Sequence, residues 1–425
     1  SNSRIPVDSY NLDSVEISRG ANSNLFGLGN ASGTENRNQS QGNLSRETTQ
    51  FTLRDDALGG FRSTADINRP ILRDKLAIRF SGLYDSKGFV RKPSGDLQRR
   101  QYGAITYQPF KGTIIRGSAE FMTDKRQTPN AQTPRDTITF WQQNGRPTWD
   151  PITQTVHYPD GRPSISVGTN DALLPSGLGL DTTQYTRPSF YVDNGKIQLW
   201  TPNRNSSTGL PNNTGGAARI ISTFTDVIRS RASLYPLFTP TSVSNKALYD
   251  WTKINFAATN WNEDKAATYN VSIDQKIFAN DTHQLYANGA WRLEDSSTYN
   301  RNLIGTTWFP YLDINERLLD GKTNPYFLRP YVTVWEPTVN RTSDKVDFLR
   351  GQLAYILDLK RQSPWISWLG TQKAVGFYQS QFTTRRSYNA REMVLDPHTW
   401  INSTNYSGNA QGRVSYKYYL GDNQG

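Results

Sequence analysis

Residues that could carry out chemistry are few and widely separated in this sequence. The three histidines, His157, His283 and His398, are isolated, and none belongs to the His-x-His or His-Glu-x-x-His spacing that zinc sites use. The adjacent carboxylates Asp55 and Asp56 fall where a strand is expected to end, as in a solvated hairpin. The chain has no Cys and no Gly-x-Ser-x-Gly elbow. We therefore expect no catalytic residue, no metal and no cofactor, and a protein that is not an enzyme.

Candidate binding residues are concentrated between 127 and 262. This stretch of some 135 residues is far longer than an ordinary connection. It combines aromatic rings with arginines, so it offers stacking faces together with cationic donors. The candidate ligand contacts are Trp141, Trp149, Tyr191, Trp200, Arg187 and Arg204. They suit an anionic, partly aromatic ligand or a sugar; the alternative is a structural lid without a ligand.

Composition excludes several classes of protein. Hydrophobic residues make up 35% of the 425 and the mean hydropathy is −0.69, without an apolar run near the roughly 18 residues of a spanning helix. The net charge is +11, but Lys and Arg are scattered among acidic residues, so a nucleic-acid-binding arm is not indicated. Aromatic residues reach 12%, beside abundant Gly, Asn, Ser and Thr, which is typical of β-structure.

Alternating apolar and polar residues predict about ten strands. They are expected near 49–56, 61–71, 75–89, 98–109, 113–126, 264–278, 283–296, 343–358, 371–387 and 407–420. Because successive side chains of a strand point to opposite faces, the alternation also predicts sides. One face should carry Leu76, Ile78, Phe80, Val271, Ile273, Leu353 and Val414, and the other Arg79, Arg116, Asp274, Arg350 and Arg413.

The connections between these strands are expected to alternate in length. Tight turns are predicted at 72–74, 111–112 and 280–282, and long links at about 90–97, 127–262 and 297–343. Strict alternation of short and long connections is typical of membrane β-barrels. A barrel of ten strands would be narrow and filled by its own side chains. Because a separate segment that could serve as a plug precedes the strands, we expect about ten strands of a larger, plugged barrel of about 22.

The first 45 residues are compact and rich in glycine. Val15 and Glu16 lie in a strand signal that ends at Arg19-Gly20. The following motif residues are Leu25, Phe26, Gly27, Gly29 and Gly33. This order resembles the C-terminal part of the plug domain of TonB-dependent outer-membrane receptors, with Ala21, Phe26 and Ser32 replacing the usual Pro, Tyr and first Gly of a Gly-Gly pair. The resemblance is direct for residues 1–126 and architectural beyond them.

The resemblance implies an all-β protein that is part of a transmembrane antiparallel barrel. Residues 1–45 would end the plug and residues 46–425 would begin the barrel, with an extracellular loop at 127–262. It implies energy-coupled uptake of a scarce nutrient across the cell outer membrane, a ferric siderophore by default. The expected partners are the nutrient, outer-membrane lipid and lipopolysaccharide, and an inner-membrane energy-coupling complex reached through a part of the plug expected upstream of Ser1. It also implies that Glu16 and Arg19 join a polar network between plug and wall.

Three other functions remain open at this point. The same architecture imports oligosaccharides or vitamins such as cobalamin. A soluble carbohydrate-binding β-protein would share the aromatic loops, but it would be recovered without detergent. A polysaccharide hydrolase would need two carboxylates in a cleft, which a sequence alone does not locate.

Overall fold

The computed structural model is built almost entirely of strands. It describes residues 4–19, 33–129, 138, 141–142, 144–166, 180–181, 189–193, 196–200, 222–223, 250, 252–302, 310–318, 321–334, 338–360, 364–391 and 415–419. The helical residues of these ranges are Trp141 and Gln142 and the 3₁₀ turns Ser9–Asn11, Phe256–Thr259 and Pro364–Leu369. None of the described helices has the length and apolarity that a membrane crossing requires.

The strands of these ranges belong to five sheets. In chain order they are β1 (Leu12–Arg19), β2 (Gly33–Gln39), β3 (Thr48–Asp55), β4 (Phe61–Leu72), β5 (Leu76–Ser86), β6 (Gly95–Phe110), β7 (Thr113–Gln127), β8 (Thr148–Asp150), β9 (Thr155–His157), β10 (Ile165–Ser166), β11 (Leu180–Asp181), β12 (Ser189–Asp193), β13 (Lys196–Trp200), β14 (Ser222–Thr223), β15 (Trp261–Ala279), β16 (His283–Asn302), β17 (Tyr311–Leu312), β18 (Pro330–Val334), β19 (Thr338–Asp358), β20 (Thr371–Arg391) and β21 (Ser415–Tyr419).

One antiparallel sheet of nine strands dominates the fold. Its order is β20-β19-β16-β15-β7-β6-β5-β4-β3, so each strand pairs with the sheet strands that precede and follow it in the chain. In the described part of the chain β3 and β20 have one partner each, so the sheet is open. The fold is therefore all-β and antiparallel, as the alternation predicts, and nine of the ten predicted strands lie in this sheet.

The two faces of the sheet differ sharply in chemistry. Ile78, Phe80, Val271, Ile273 and Leu353 are exposed on one face, which we call the outer face. The inner face carries the predicted charged positions Arg79, Arg116, Asp274 and Arg350, which alternate with them. The predicted sorting by side is confirmed for these residues, and Leu76 shares the alternation of Ile78. Arg413 and Val414 lie outside the described residues.

The predicted strict alternation of short and long connections is wrong for the links before β7, including the predicted long link at 90–97, and correct for the links from β7 to β19. At one end, which we call the turn end, the links 73–75, 111–112 and 280–282 are tight, and Asp74 and Gly112 have positive φ. The link 359–370 at the same end is longer and holds the 3₁₀ turn Pro364–Leu369. At the opposite end, the links 56–60 and 87–94 are short rather than long. We call this end the lobe end, after the lobe described in the next paragraph. The two links pack closely, since a Cβ on Gly88 would lie 2.6 Å from the Leu58 carbonyl oxygen.

The described parts of the two long connections, 128–260 and 303–337, pack together into one lobe. Its apolar core contains Ile138, Trp141, Trp149, Val156, Leu312 and Ile314. The backbone joins both connections as well, because the Trp149 amide donates to the Ile314 carbonyl at 2.9 Å and the Glu316 amide donates to the Trp149 carbonyl at 2.8 Å. The lobe is therefore built jointly from two connections that are far apart in sequence.

The predicted strand 407–420 is wrong as a member of the main sheet. β21 lies instead in a five-stranded sheet, parallel to β12 and antiparallel to β18. Its last residue, Tyr419, is buried with Tyr311, Tyr326 and Tyr331. The Tyr419 hydroxyl donates to the buried Asp313 carboxylate. Burial and this carboxylate raise the pKa of the Tyr419 phenol well above its ordinary value, so the phenol stays a donor. The burial of Tyr419 among these tyrosines explains why β21 pairs with β12 and β18 and not with the main sheet.

Removing the Trp149 side chain should loosen the lobe and spare the main sheet. Trp149 is fully buried, and large aromatic deletions from a core cost about 3–5 kcal/mol. We expect Trp149→Ala to accelerate hydrogen exchange and proteolysis at 144–166 and 310–318, with the strands β3–β7 unchanged. Trp365→Ala is the matched control, because Trp365 is 89% exposed. Equal exchange in both variants would contradict the shared core.

Candidate functional site

The described residues 4–19 and 33–46, which we call the N-terminal segment, lie on the inner face. The centre of the contact is Glu120 on β7. Its carboxylate accepts hydrogen bonds from Tyr10 Oη at 2.7 Å, Gln39 Nε2 at 2.9 Å and Arg100 Nε at 3.0 Å. The side chains of Arg100 and Glu120 are each only 2% exposed. Because water does not reach these two buried charges, each of them depends on the hydrogen bonds that neighbouring groups make to it. The hydrogen bonds to Glu120 therefore hold Tyr10 and Gln39 in position.

Tyr10 of the segment is buried against the inner face. Its ring packs with Leu83, Tyr102 and Ala104, and the Arg100 guanidinium lies 5.0 Å from the ring centroid. Burial, and then the Glu120 carboxylate, raise the pKa of the Tyr10 phenol well above its ordinary value. The phenol therefore stays protonated at neutral pH and donates to Glu120.

Two further ion-pair groups hold the segment to β4 and β5. Arg62 bridges Asp8 at 2.6 Å and Asp85 at 2.8 Å. Burial would raise the pKa of the Asp8 carboxyl, but the hydrogen bonds from Arg62 and from the Tyr10 amide outweigh it and hold the pKa below its ordinary value. Arg79, whose inward direction is predicted from the sequence, contacts Asp13 of the segment and Asp66 of β4.

The start of the segment reaches the far side of the sheet. The Arg4 side chain contacts Asp344 on β19 at 2.6 Å, and the Arg4 backbone amide donates to Glu294 on β16 at 2.7 Å. Asp344 also accepts from Arg385 on β20 at 2.6 Å. A network of charges thus extends from the segment to the last strand of the sheet.

The contacts of the segment extend across most of the sheet. β4 and β19, which contact Asp8 and Arg4, are six positions apart in the sheet. The long side chains of Arg62 and Arg4 cover much of this distance. The segment therefore lies across the inner face from β4 to β19.

The second half of the N-terminal segment contacts the inner face of the main sheet through its backbone carbonyls. The Tyr102 hydroxyl donates to the Ser40 carbonyl at 2.7 Å, and the Asn68 amide group donates to the carbonyls of Asn43 and Arg46. Gly42 makes the closest approach, since a Cβ there would lie 2.9 Å from the Ala77 carbonyl oxygen. Only glycine fits this position without displacing the backbone of β5.

The residues of the plug-like motif lie partly in a hairpin. Val15, Glu16 and Arg19 belong to β1, and Gly33 begins β2 opposite Arg19. Glu16 is exposed and accepts from the Asn38 amide group across the hairpin at 3.4 Å. Gly20, Leu25, Phe26, Gly27 and Gly29 lie outside the described residues, as does the side chain of Arg19, so the predicted network of Glu16 and Arg19 stays a prediction.

Some of the predicted ligand contacts lie within the described part of the chain and others lie outside it. Trp141 and Trp149 are buried in the lobe core, and Trp141 Nε1 donates to the Pro147 carbonyl at 2.8 Å. In this arrangement both rings support the lobe and are closed to a ligand. Tyr191 lies on β12 and Trp200 on β13, with side chains outside the described part. Arg187 and Arg204 lie outside it altogether.

The residues that anchor the segment are not predictable from the sequence motifs. Asp8, Tyr10 and Asp13 come before or beside the glycine-rich motif, and Arg100 and Glu120 lie in strands whose alternation predicts only the side to which they point. The available signal was charge at inward positions of consecutive strands, which requires partners of opposite charge in the enclosed space. In the described ranges no group of three or more His, Asp or Glu is arranged to hold a metal ion.

A cavity of about 380 Å³ lies on the inner face near the turn end. Its lining includes the polar residues Asp274, Lys276, Tyr286, Asn288 and Gln352 beside apolar ones such as Ile114 and Ala354. Arg116 pairs with Asp274, and Asn288 donates to the same carboxylate at 2.6 Å. Charged and polar side chains thus occur on the inner face toward the turn end as well as next to the N-terminal segment.

Comparison with known proteins finds similarity only at the level of strand arrangement. No family model matches the sequence, and no curated protein matches it significantly. Among solved structures, the siderophore receptor PiuA from Acinetobacter baumannii is 10% identical with a TM-score of 0.32, over 89% of this chain and 52% of that one. The ferric-catecholate import receptor Fiu from E. coli K12 is 10% identical with a TM-score of 0.31, over 89% and 52%. The ferripyoverdine receptor of Pseudomonas aeruginosa is 10% identical with a TM-score of 0.30, over 90% and 43%. The chain spans about half the length of these receptors.

Replacing Glu120 should release the N-terminal segment. Glu120→Leu leaves Arg100 buried without its partner, which costs about 3–5 kcal/mol, and removes the acceptor of Tyr10 and Gln39. We expect faster hydrogen exchange at residues 8–13 and a lower free energy of unfolding. The double variant Arg100→Met with Glu120→Leu removes both charges and should recover much of the loss. A double variant as unstable as the single one would contradict the buried ion pair.

The docking of the segment should weaken in acid through Asp8. Because the folded-state pKa of Asp8 is lowered, its contribution is complete above the unfolded pKa of about 3.8 and is lost as the pH falls through the lower folded value. Asp8→Asn should reduce protection of residues 8–13 at pH 7 and remove this part of the pH dependence. Asp160→Asn, in an exposed pair with Arg162, is the control. Identical pH profiles for wild type and Asp8→Asn would contradict the assignment.

Proposed function

We propose that the chain is part of an outer-membrane transporter of the TonB-dependent receptor type, which takes up a scarce nutrient without bond-making chemistry. The N-terminal segment is the end of the plug, and the nine-stranded sheet is the first part of the barrel wall. One observation carries this proposal: the sheet is apolar on the outside and charged on the inside, the reverse of a water-soluble protein.

The apolar outer face has the height of a bilayer. On β15 the outward positions from Ala267 to Ile277 are uncharged, and Tyr269, Val271, Ile273 and Ile277 are exposed. This stretch is about 33 Å of strand, which at a tilt of about 40° covers about 25 Å, the height of the apolar band of an outer-membrane barrel. Water would solvate this surface poorly, whereas lipid chains suit it.

The polar inner network suits a plug that is held firmly but can be moved. Ion pairs and hydrogen bonds such as Asp8–Arg62 and Asp13–Arg79 can be replaced by water one at a time as the segment shifts. A large apolar interface would have to be exposed together, at a cost proportional to its area. In the proposed mechanism the energy-coupling complex of the inner membrane acts on the plug, and these contacts restore it afterwards.

The lobe is the proposed region of ligand binding. It stands at the end of the sheet opposite the tight turns, which is the extracellular end in a barrel of this type. We propose a ferric siderophore as the default ligand, because the loop combines aromatic rings and arginines. An oligosaccharide or a vitamin of similar polarity is the alternative. Since Trp141 and Trp149 are buried, the contacts are assigned to the lobe as a region.

A charge on the outer face should prevent stable insertion, whereas one on the inner face should not. Val271→Arg places a cation on the apolar band, at a cost of about 2–4 kcal/mol near the bilayer midplane. Ser272→Arg, the neighbouring inward position, is the matched control. We expect only Val271→Arg to make folding into lipid vesicles less favourable. Equal effects, or recovery of the wild type without detergent, would favour the soluble carbohydrate-binding protein.

Trimming the lobe should abolish ligand binding and leave the sheet inserted. Because 128–260 shares its core with Leu312 and Ile314, both 128–260 and 303–337 should be replaced by short turns. Titration against ferric siderophores, cobalamin, haem and oligosaccharides identifies the ligand of the wild type. We expect the trimmed protein to lose affinity at least about tenfold for it. An unchanged affinity would contradict binding by the lobe and would indicate that the ligand binds to the plug.

A further inference from the structure

Three aspartates, which we call the aspartate cluster, lie on the inner face at the lobe end of neighbouring strands. Asp264 on β15 is directly opposite Asp124 on β7. Asp124 is in turn opposite Gln98 on β6, and Asp96 is the next inward residue of that strand. Asp96 and Asp124 are each only 6% exposed. The negative charges of the cluster are therefore largely withdrawn from water.

The cluster has one negative charge more than the cations that pair with it. Lys87 Nζ lies 2.7 Å from the Asp96 carboxylate. The single guanidinium of Arg126 pairs closely with Asp264 and lies 3.8 Å from Asp124. In the described part of the chain, one oxygen of each of the three carboxylates is buried without a hydrogen-bond partner. Buried oxygens of this kind are costly unless a donor compensates them.

The elements around the cluster do not balance the extra charge. Thr298, which faces the cluster from β16, is uncharged. Asp85 at the end of β5 is paired with Arg62, and Arg4 of the N-terminal segment is paired with Asp344. The neighbouring charges on the outer face are Lys125, Glu263 and Lys265. A proton is therefore the simplest way to neutralise the third carboxylate.

The lobe is attached to the sheet immediately beside the cluster. The Lys92 amide donates to the Lys253 carbonyl at 2.8 Å, and the Asn255 amide donates to the Lys92 carbonyl at 2.9 Å. At the end of β7 the Gln127 side-chain amide donates to the Ala258 carbonyl. Each attachment lies four residues or fewer along the chain from an aspartate of the cluster.

The N-terminal segment packs on the other side of the cluster. Ile5 is buried with Met122 and Ala266. These two residues are the next inward positions after Asp124 and Asp264 in the direction of the turn end. The aspartate cluster thus lies between the base of the lobe and the N-terminal segment.

The charge balance of the cluster changes within an accessible pH range. Asp124 lies beyond the apolar band, because its neighbour Asp264 is three residues past Ala267, where the band ends. Burial, and then the Asp96 carboxylate, raise the pKa of the Asp124 carboxyl from 3.8 to about 6. The folded state therefore binds this proton more tightly than the unfolded state does. Its stability falls as the pH rises between these two values and stays lower above them.

We propose that the aspartate cluster is a proton-binding connection between the lobe and the N-terminal segment. In acid the Asp124 hydroxyl donates to an unpartnered oxygen of a neighbouring aspartate and holds β6, β7 and β15 together under the base of the lobe. When this proton leaves to water, the third negative charge repels the other two and loosens the connection. In a transporter, the ease with which lobe and segment move apart would then depend on the external pH.

The test compares hydrogen exchange of the whole folded chain at about pH 5 and about pH 7.5, corrected for the intrinsic pH dependence of exchange. The first pH lies between the folded and unfolded pKa values of Asp124, and the second lies above both. We therefore expect local opening at 87–97 and 122–127 to be about tenfold more frequent at the higher pH. Residues 108–114 at the turn end should be unchanged. No ligand is needed, so the outcome is independent of the proposed function.

Two variants assign the effect to the cluster. Asp124→Asn keeps a donor in the place of the protonated acid, so its protection at about pH 7.5 should resemble that of the wild type at about pH 5. Asp295→Asn is the matched control, because it removes the same charge from an exposed position of the outer face. The control should keep the tenfold difference of the wild type.

Three results would overturn the inference. The first is equal opening of the wild type at both pH values, which does not require any variant to fold. The second is a pH dependence that persists in folded Asp124→Asn. The third is full protection of the wild type at about pH 7.5 on addition of calcium chloride, which would show that the cluster binds a metal cation in place of a proton.

Discussion

The two-residue period of the strands is the constraint on which the rest of the structure depends. Because adjacent side chains of a strand point to opposite faces, each of the long strands can present apolar residues outward and charges inward. β5 shows this within three residues: Ile78 and Phe80 are exposed on the outer face, and Arg79 between them contacts Asp66 and Asp13. A shift of register by one residue would place every such charge on the apolar side.

The N-terminal segment and the lobe are stabilised by different kinds of interaction. The N-terminal segment is held on the inner face by ion pairs and hydrogen bonds around Glu120, Arg62 and Arg79. The lobe is held together by an apolar core around Trp149 and Ile314. Polar contacts can be exchanged with water step by step, whereas an apolar core must open as a unit. The division suits a segment that moves within a wall and a lobe that keeps its shape.

The sequence predicted the strands of the main sheet because their period is local information. It also predicted that Arg79 and Asp274 share the inner face. It placed the lobe ends of β16 and β20 too early, since their last residues, such as Arg301 and Arg391, are polar and leave no apolar period. The partners of the charges were not predictable, because Tyr10 and Glu120 are 110 residues apart and only the folded sheet brings them together. Gly42 was missed for the same reason: its requirement comes from the Ala77 carbonyl of the wall.

The central claim is that odd positions of β15 meet lipid and even positions meet the enclosed polar space. The chain has no Cys, so single cysteines at positions 267 to 274 can each be spin-labelled without background. Power-saturation measurements in vesicles then compare the access of oxygen, which dissolves in lipid, with that of a water-soluble nickel complex. The account predicts a period of two, with oxygen access highest at 267, 269, 271 and 273 and nickel access higher at the even positions between them. High nickel access at all eight positions, or a period of opposite phase, would contradict it.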